Sequence, residues 1–332
     1  MGDYRPTKRP TLKELANAAG VSVASASYAI NGNGSVGERT RAHVIDVAAR
    51  IGYRQNTLAR AMKTGRSGTL GMVVPDLTNP FFPSLVQSVI QAARDQGYGV
   101  FMTDTEGDES IEQAALRMLA DRAVDGIIWF PVRDVDTSAG LLKSIPTVVL
   151  DRALQGFDTV VADYADGGRR AAEHLLAAGH TKIGIISGPR DILSMRERCD
   201  AAKAYIQAHG TLAFEVVNAF SIDLEPQVAD ALMRAGASAV FAGADIIALG
   251  VLRHLAAHGK HAPQDLSVVG FDDIAWSALG SPPLTTIDMP LQAMAVEAVN
   301  LVVSRIKQPD RAHRNVVFNT SLVERRSVAA VR

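Results

Sequence analysis

Charged side chains follow two apolar runs of this sequence, at points where buried strands would end. Asp151 and Arg152 come directly after the run PTVVL, and Asp272 closes the run VVGFD. A carboxylate accepts hydrogen bonds from two hydroxyl groups and a guanidinium donates in a fixed fork, so these residues suit a small hydroxylated ligand. A salt-bridge network among the charged residues themselves is the alternative interpretation.

The motifs that would make such residues catalytic are absent from the sequence. No G-x-G-x-x-G follows a predicted strand, and neither a P-loop nor a G-x-S-x-G motif occurs. No cluster has the spacing of metal ligands, and the single cysteine, Cys199, excludes an internal disulfide. We therefore predict no catalytic residues, no metal and no cofactor, with an α/β enzyme kept as the alternative from a different class.

Charge is distributed unevenly along the chain. The full sequence has 34 Lys and Arg against 35 Asp and Glu, a net charge of −1. Residues 1–66 hold eleven basic and four acidic residues, so this segment carries +7 and the remainder carries −8. A basic head on an acidic body is typical of a protein that binds phosphate groups through one end.

The basic segment contains TLKELANAAGVSVASASYAIN, a pattern of two short helices around a tight turn. Thr11 and Glu14 have the spacing of a capping box, which predicts a helix that begins at Leu12, and Gly20 ends it. Ser22 is a suitable cap for the second helix. Several alanines allow the two helices to cross closely, as a helix-turn-helix requires. A small helical pair that only fills a core is the alternative.

Two further segments follow the helical pair. The apolar stripe in residues 38–51 predicts a third helix, which would complete a three-helix head. Residues 57–64 include a six-residue helical pattern, which is too short to be stable alone. We expect this segment to be helical only when something packs against it, which is a useful property in a switch.

From Thr69 onward, short apolar runs alternate with amphipathic stretches. Five buried strands and then four more, interleaved with helices, predict two doubly wound parallel-sheet α/β subdomains side by side. A last strand near 315–320 fits either sheet. A length of 332 residues accommodates this body together with the all-α head. The predicted fold class is therefore a helix-turn-helix head joined to an α/β body of two parallel-sheet subdomains.

Targeting and membrane segments are not recognisable. No uninterrupted apolar run approaches the roughly 18 residues that cross a bilayer, and the start, MGDYRPTKRP, lacks the apolar middle of a signal peptide. We therefore expect a cytoplasmic protein without a membrane partner. A secreted transport protein, the nearest alternative for the body, would need such a signal.

Taken together, these stretches resemble the lactose-repressor (LacI/GalR) family of bacterial transcription regulators along essentially the whole chain. The matching stretches include the helical pair, LARAMKTGRSGTLGMVVPDLTNPFF, HLLAAGHTKIGIISGP, VVGFDDIAWSALGSPPLTTIDMP and SLVERRS. The resemblance implies a ligand-responsive repressor that binds a palindromic operator as a homodimer, with a body similar to periplasmic sugar-binding proteins.

The resemblance also implies the domain organisation. It divides the chain into a DNA-binding head, 1–56, a hinge helix and linker, 57–67, and a ligand-binding and dimerisation domain, 68–332. Within the last domain, the N-subdomain is expected at about 68–164 and 292–320, and the C-subdomain at about 165–291 and 321–332.

The resemblance places thirteen residues against DNA. Val23, Ala24 and Tyr28 match positions that face base edges, where the first two offer only apolar contact and the tyrosine one hydrogen bond. Ala59 and Met62 match the hinge helix, and Met62 is the expected wedge in the minor groove. The remaining residues match contacts to phosphates and sugars: Thr11, Ser22, Ser25, Ser27, Asn31, Thr40, Tyr53 and Asn56.

In the body, the resemblance places a ligand in the cleft between the subdomains. The matched positions are Asn79, Phe81, Phe82, Asp151, Arg152, Arg196, Asp272 and Asp288. This series is similar to that of pentose or ribose binders, whereas purine-responsive members have an aromatic residue in place of Arg152. We expect a sugar or sugar-like effector, with a purine or an organic acid as the alternative.

Several of these cleft positions leave a second interpretation open or depart from the family pattern. A purely structural role in the core is the alternative for Phe81 and Phe82. Ala244 stands where the family usually has an asparagine that reaches the ligand, and Asp288 places an acid at the last cleft position. Because a lost amide donor weakens a polar site, these departures argue against an ordinary ribose as the effector.

Overall fold

The computed structural model describes residues 10–32, 34–54, 65–134, 139–142 and 144–331. The chain divides into two compact units, Met1–Ser67 and Gly68–Arg332. Three residues expected to contact DNA, namely Asn56, Ala59 and Met62, lie outside the described residues. Their roles therefore stay predictions.

The first unit contains three helices, α1 (Leu12–Ala19), α2 (Val23–Asn31) and α3 (Glu38–Ile51). Helix α1 begins with the predicted capping box: the Glu14 backbone N–H donates to Thr11 Oγ1 (3.3 Å), and the Thr11 N–H donates to Glu14 Oε2 (2.6 Å). Gly20 ends the helix in the left-handed conformation, with φ of 64°. The Ser22 hydroxyl accepts from the Ser25 N–H (3.0 Å) and caps α2.

A small apolar core holds these helices together. Leu15, Ala26 and Val44 come from α1, α2 and α3 respectively, and all three are fully buried. Alanine at the contact between the first two helices leaves room for their backbones to approach. The helix-turn-helix interpretation of the sequence therefore agrees with the packing.

The second unit alternates strands and helices. Its strands are β1 (Thr69–Val74), β2 (Gly99–Asp104), β3 (Gly126–Trp129), β4 (Thr147–Leu150), β5 (Asp158–Ala162), β6 (Lys182–Ser187), β7 (Thr211–Val217), β8 (Ala239–Ala242), β9 (Ser267–Asp272), β10 (Thr285–Asp288), β11 (Asn315–Phe318) and β12 (Ser321–Val323). Its helices are α4 (Phe81–Asp95), α5 (Glu109–Asp121), α6 (Ala139–Leu142), α7 (Tyr164–Ala177), α8 (Leu193–His209), α9 (Pro226–Arg234), α10 (Asp245–Ala257), α11 (Ala275–Leu279) and α12 (Leu291–Lys307).

The strands form two six-stranded sheets. The first has the order β11-β5-β4-β3-β1-β2 and is parallel throughout. The second has the order β12-β10-β9-β8-β6-β7 and is parallel except for β12, which is antiparallel to β10. We call the first sheet with α4, α5, α6 and α12 the N-subdomain, and the second sheet with α7 to α11 the C-subdomain.

The chain passes between the subdomains three times. The first crossing follows β5, the second follows β10, and the third lies between β11 and β12. Helix α12 packs against α4 and against β3, β4 and β5, so a late segment of the sequence completes the N-subdomain. The predicted fold class is confirmed, and no helix among the described residues has the length and apolarity to cross a membrane.

Strands β10 and β12 were not predicted from the sequence. Strand β10 has only four residues between proline-rich segments, and β12 has three. Such short segments have too few residues to show an alternating pattern. Their placement comes from pairing: β10 aligns with Val269 to Asp272 of β9, and β12 lies antiparallel to β10.

Candidate functional site

A cavity of about 290 Å³ lies between the two subdomains. Its walls are formed by the loops after β1, β2, β3 and β4 from the N-subdomain, and by the loops after β6 and β7 and the end of β9 from the C-subdomain. The first turns of α4 and α8 complete the walls. Ligands of open α/β sheets bind at this edge, because the carboxyl ends of parallel strands and their loops converge there.

The structure brings six of the eight predicted ligand residues into the cavity wall. These are Asn79, Phe81, Phe82, Asp151, Arg152 and Asp272, while Arg196 and Asp288 lie elsewhere. Further lining residues that the sequence did not single out are Phe130, Ser194, Met195, Arg198 and Phe220.

Three phenylalanine rings form one side of the cavity. Phe81 and Phe82 meet edge to face with centroids 5.1 Å apart, and Phe82 meets Phe130 at 4.9 Å in the same manner. Asn79 shapes the turn before α4, because its Oδ1 accepts from the Phe81 backbone N–H (3.1 Å). Phe220 lines the C-subdomain side. Apolar ring surfaces on both sides suit the C–H faces of a flat, hydroxylated ring.

Asp151 and Arg152 form a buried charged pair at the end of β4. The backbone of Asp151 has φ of 64°, a left-handed conformation that is uncommon outside glycine and asparagine. Its carboxylate contacts the Arg152 guanidinium and accepts from the Tyr164 hydroxyl, and it lies 3.2 Å from Ser194 Oγ. Burial lowers the pKa of Arg152, and the nearby Asp134 carboxylate opposes this change. The pair presents both an acceptor and a donor to the cavity.

Arg198 and Asp272 form a second buried pair, which belongs to the C-subdomain. Arg198 Nη1 donates to Asp272 Oδ1 (2.9 Å) and to the Gly243 carbonyl (2.8 Å). Its guanidinium also lies 3.9 Å from the centre of the Phe271 ring, a cation–π contact. Burial raises the pKa of Asp272 to about 6, although Arg198 acts in the opposite direction.

The prediction that Arg196 contributes to this site is not supported by its position. Ser194, Met195 and Arg198 of α8 line the cavity, and Arg196 is two residues from both Ser194 and Arg198. At 3.6 residues per turn, that spacing turns its side chain roughly 200° away from theirs. Its guanidinium instead donates to the Arg190 carbonyl (2.8 Å). The arginine of α8 that lines the cavity is therefore Arg198.

Asp288 also lies outside the cavity. It pairs in register with Asp272 at the end of β10 and lines an adjoining open groove together with Asp273 and Gln292. Burial, and then the neighbouring Asp273, raise the pKa of Asp288. Ala244, the residue before α10, is buried and does not line the cavity. The two departures from the family pattern thus fall at positions that do not line the cavity, and Asn79 supplies an amide to its wall.

In the head, helix α2 exposes the residues expected to face base edges. Val23 is 45% exposed, Tyr28 is 48% exposed, and Ala24 is exposed as well, whereas Ala26 and Ala29 face the core. The predicted phosphate and sugar contacts in the described head, Thr11, Ser22, Ser25, Ser27, Asn31, Thr40 and Tyr53, are all exposed or partly exposed.

Several of these polar residues already have partners inside the head. Ser22 and Ser25 share a hydroxyl hydrogen bond (2.9 Å), and Asn31 Nδ2 donates to the Ser27 carbonyl (2.7 Å). Thr11 belongs to the capping box of α1. Burial raises the pKa of Tyr53. These contacts orient the side chains in the head and compete with any contact to phosphate.

A helix-turn-helix head and a two-sheet body with a cavity between its subdomains together define a ligand-sensing DNA-binding regulator. Residues 11–56 match the family model described as "Bacterial regulatory proteins, lacI family", and residues 172–328 match a "Periplasmic binding protein-like domain". The ribose operon repressor of Escherichia coli strain K12 is 32% identical over 329 residues, which cover 96% of this chain and 99% of that protein. The chain therefore belongs to the lacI family and is a ligand-sensing, DNA-binding transcriptional repressor.

Solved structures show the same architecture. The lac repressor dimer bound to operator and the anti-inducer ONPF has a TM-score of 0.87 and 26% identity, covering 97% of this chain and all of that one. A lacI-family regulator from Enterococcus faecium with bound ribose has a TM-score of 0.72 and 28% identity, covering 80% of this chain and all of that one. The family assignment predicted from the sequence is thus confirmed.

Proposed function

We propose that this repressor senses a pentose-class sugar in the cavity between its subdomains. The observation that carries the proposal is the combination of the phenylalanine wall with two buried acid–arginine pairs, Asp151 with Arg152 and Arg198 with Asp272. Sugars present apolar C–H faces and polar edges, and this cavity offers a matching surface to each. The relatives described as a ribose operon repressor and as a regulator with bound ribose support the same class.

The size and charge of the cavity reduce the range of candidate effectors further. About 290 Å³ is at the low end for ligand pockets, which favours a single sugar ring over a larger molecule. Among the described lining residues, Arg133, Arg152 and Arg198 each face a carboxylate, so these residues hold no unbalanced positive charge to receive a phosphate or an organic acid. A neutral monosaccharide is the best match to this balance.

At the DNA, we propose that two heads bind the halves of a near-palindromic operator. The exposed face of α2 with Val23, Ala24 and Tyr28 would lie in the major groove, and the polar residues around it would contact phosphates. Residues 57–67 would form the hinge and linker, with Ala59 in the hinge helix and Met62 as the apolar wedge in the minor groove. The lac repressor dimer solved on its operator supports this arrangement.

Exposed apolar side chains on the body favour the homodimer. Leu279 is 81% exposed and Trp276 is 50% exposed, and both belong to the short helix α11. Neighbouring large apolar residues with this exposure are typical of a surface that a partner covers. We propose that a second copy covers α11, and that effector binding changes the angle between the subdomains and thereby the spacing of the two hinges.

The effector proposal is tested by calorimetry of the full chain with D-ribose, D-xylose, D-glucose, adenine and citrate. Binding of a pentose with an affinity at least tenfold above the others supports it, because one lost polar contact accounts for about that factor. Arg198→Met should abolish the binding, and the matched control Arg196→Met should change it less than about fivefold. Binding of adenine or citrate with no response to pentoses overturns the proposed sugar class.

Operator binding is tested by fluorescence anisotropy at several salt concentrations. A head that relies on phosphate contacts loses affinity steeply, by about 10³-fold or more between 50 and 200 mM salt for a dimer with six or more such contacts. An affinity that barely depends on salt contradicts the proposed contacts.

A further inference from the structure

Asp134, in the loop after β3, contacts groups of both subdomains. Its Oδ2 accepts from the backbone N–H of Leu193, the first residue of α8, and from Arg196 Nη2 (3.4 Å). Its Oδ1 lies 3.2 Å from Nε of Arg152, an ion pair without hydrogen-bond geometry. Leu193 and Arg196 belong to the C-subdomain and Arg152 to the N-subdomain, so one carboxylate spans the cleft.

Helix α8 depends on this carboxylate for a cap. The residue at its N-cap position is Ile192, which has no side-chain acceptor, and no cap hydrogen bond from that position exists. The first turn of a helix has free N–H groups and a partial positive charge, and an acid there stabilises both. Asp134 provides that acid from the opposite subdomain, and it does so only while the cleft is closed.

The loop that carries Asp134 is anchored to its own subdomain. Glu112 of α5 is buried, and its Oε1 accepts from the Val132 backbone N–H (2.7 Å) and from the Trp129 indole N–H (3.0 Å). Arg133 forms an ion pair with Glu109 of the same helix. Because the loop is fixed to α5, Asp134 cannot follow α8 when the subdomains separate.

Weaker contacts beside Asp134 also join the two subdomains. Arg133 Nη1 lies 3.5 Å from Asp191, and Ser194 Oγ lies 3.2 Å from the Asp151 carboxylate. The first of these is exposed, so it contributes little by itself. Asp134 thus contacts Leu193 and Arg196 of the first turn of α8, and Asp151 and Arg152 contact the Ser194 hydroxyl.

We propose that Asp134 is a latch, a residue that stabilises the closed cleft by capping α8 across it while it is paired with Arg152. The closed cleft is then populated before any effector binds. This role goes beyond effector recognition, since it requires no ligand. Loss of a helix cap changes an equilibrium by a factor of about 2 to 30. The ratio of closed to open molecules should fall by that factor when the carboxylate is removed.

The latch is tested by pulsed electron spin measurements of distance across the cleft, in the full chain without effector. Spin labels are placed on cysteines introduced at Glu106, in the loop after β2, and at Gln227 of α9, both of which are exposed. The native Cys199 is buried and does not compete for the label. Asp134→Ala is compared with Asp200→Ala, a matched control because Asp200 lies on α8 and pairs with Arg190 inside the C-subdomain.

The expected result is a shift toward longer distances in Asp134→Ala and none in the control. Asp134→Asn should lie between them, since asparagine keeps an acceptor for the Leu193 N–H but loses the charge beside Arg152. Unchanged distances in Asp134→Ala overturn the latch. An equal shift in Asp200→Ala overturns it as well, because general loosening of α8 would then explain both.

A second measurement connects the latch with the proposed effector. If a pentose binds only the closed cleft, the D-ribose dissociation constant of Asp134→Ala rises, by up to the same factor of about 30, because the apparent constant is inversely proportional to the closed fraction. This arm rests on the proposed function. Failure of the wild-type chain to bind D-ribose contradicts that function, while the distances still decide on the latch.

Discussion

Asp245, the first residue of α10, is a fully buried acid beside the cavity, and its replacement by asparagine gives a test of the electrostatics. Its Oδ2 accepts from the Ile274 N–H (3.0 Å) and the Ser277 hydroxyl (2.6 Å), and its Oδ1 accepts from the Thr286 hydroxyl (2.6 Å). Burial, and then the charge of the neighbouring Asp272, raise the pKa of Asp245 from 3.8 to about 8.

The raised pKa of Asp245 determines how the stability of the protein depends on pH. An acid whose pKa is raised on folding holds more protons in the folded state, so the free energy of unfolding falls as pH rises from about 4 toward about 8. Each pKa unit corresponds to about 1.4 kcal/mol. Between pH 4 and pH 7, the raised pKa of Asp245 therefore lowers the free energy of unfolding by about 4 kcal/mol. Three hydrogen bonds to the charged form act against this cost but do not cancel it.

Asp245→Asn removes this cost while keeping the shape. The amide oxygen still accepts from Ile274 and Ser277, and the Thr286 hydroxyl can rotate to accept from the new NH₂ group. We expect the variant to be more stable than the wild type at pH 7.5, by up to about 4 kcal/mol. Its free energy of unfolding should also change less between pH 6 and 8.

The measurement is urea unfolding followed by tryptophan fluorescence at several pH values. Both tryptophans, Trp129 and Trp276, belong to the unit Gly68–Arg332, so the signal reports on the body. Over the window from pH 6 to 8, the difference between the variant and the wild type isolates Asp245, because Asp272, with a pKa of about 6, and the buried His180 are present in both. A variant less stable than the wild type at pH 7.5, or with the same slope over this window, refutes the reasoning.

Three other substitutions test separate parts of the structure. Asp158→Ala leaves the buried guanidinium of Arg305 without its carboxylate and should destabilise the body by about 3–5 kcal/mol in urea unfolding, while a loss below about 1 kcal/mol contradicts a buried ion pair. Gly168→Ala places a Cβ 1.8 Å from the carbonyl oxygen of Arg198, so α7 and α8 must separate and the thermal midpoint should fall by several degrees or more; an unchanged midpoint disproves the close approach. Thr11→Ala removes the capping box and should destabilise the head by about 1 kcal/mol, seen as faster amide exchange in α1 with no change in the body.

The sequence predicts best where one segment carries its own signal. The capping box at Thr11 and the glycine at position 20 define α1 without help from the rest of the fold. Strands such as β3, β8 and β9 appear as apolar runs because both faces of a parallel sheet are covered. The charged residues Asp151, Arg152 and Asp272 follow from the same reasoning, since they stand where such runs end.

The prediction fails where two segments must be placed relative to each other. The segment Met195–Arg198, MRER, contains two arginines, and choosing correctly between Arg196 and Arg198 requires knowing which face of α8 points to the cavity. The apolar residues Met195, Cys199 and Ala202 are buried and recur at helical spacing, and Arg198 lies within that stripe. Phe220 stands alone in a loop after β7 and carries no local signal. Its place in the cavity wall becomes clear only when the N-subdomain is positioned opposite it.

The threefold crossing of the chain between the subdomains constrains how the protein is made. The first sheet lacks its edge strand β11, and its covering helix α12, until synthesis has passed residue 318. The second sheet lacks β12 until synthesis has passed residue 323. A ribosome thus releases a head whose three helices have long been complete, while both halves of the body are still unfinished. A premature stop codon between residues 68 and 314 leaves both sheets of the sensor incomplete and all three helices of the head complete.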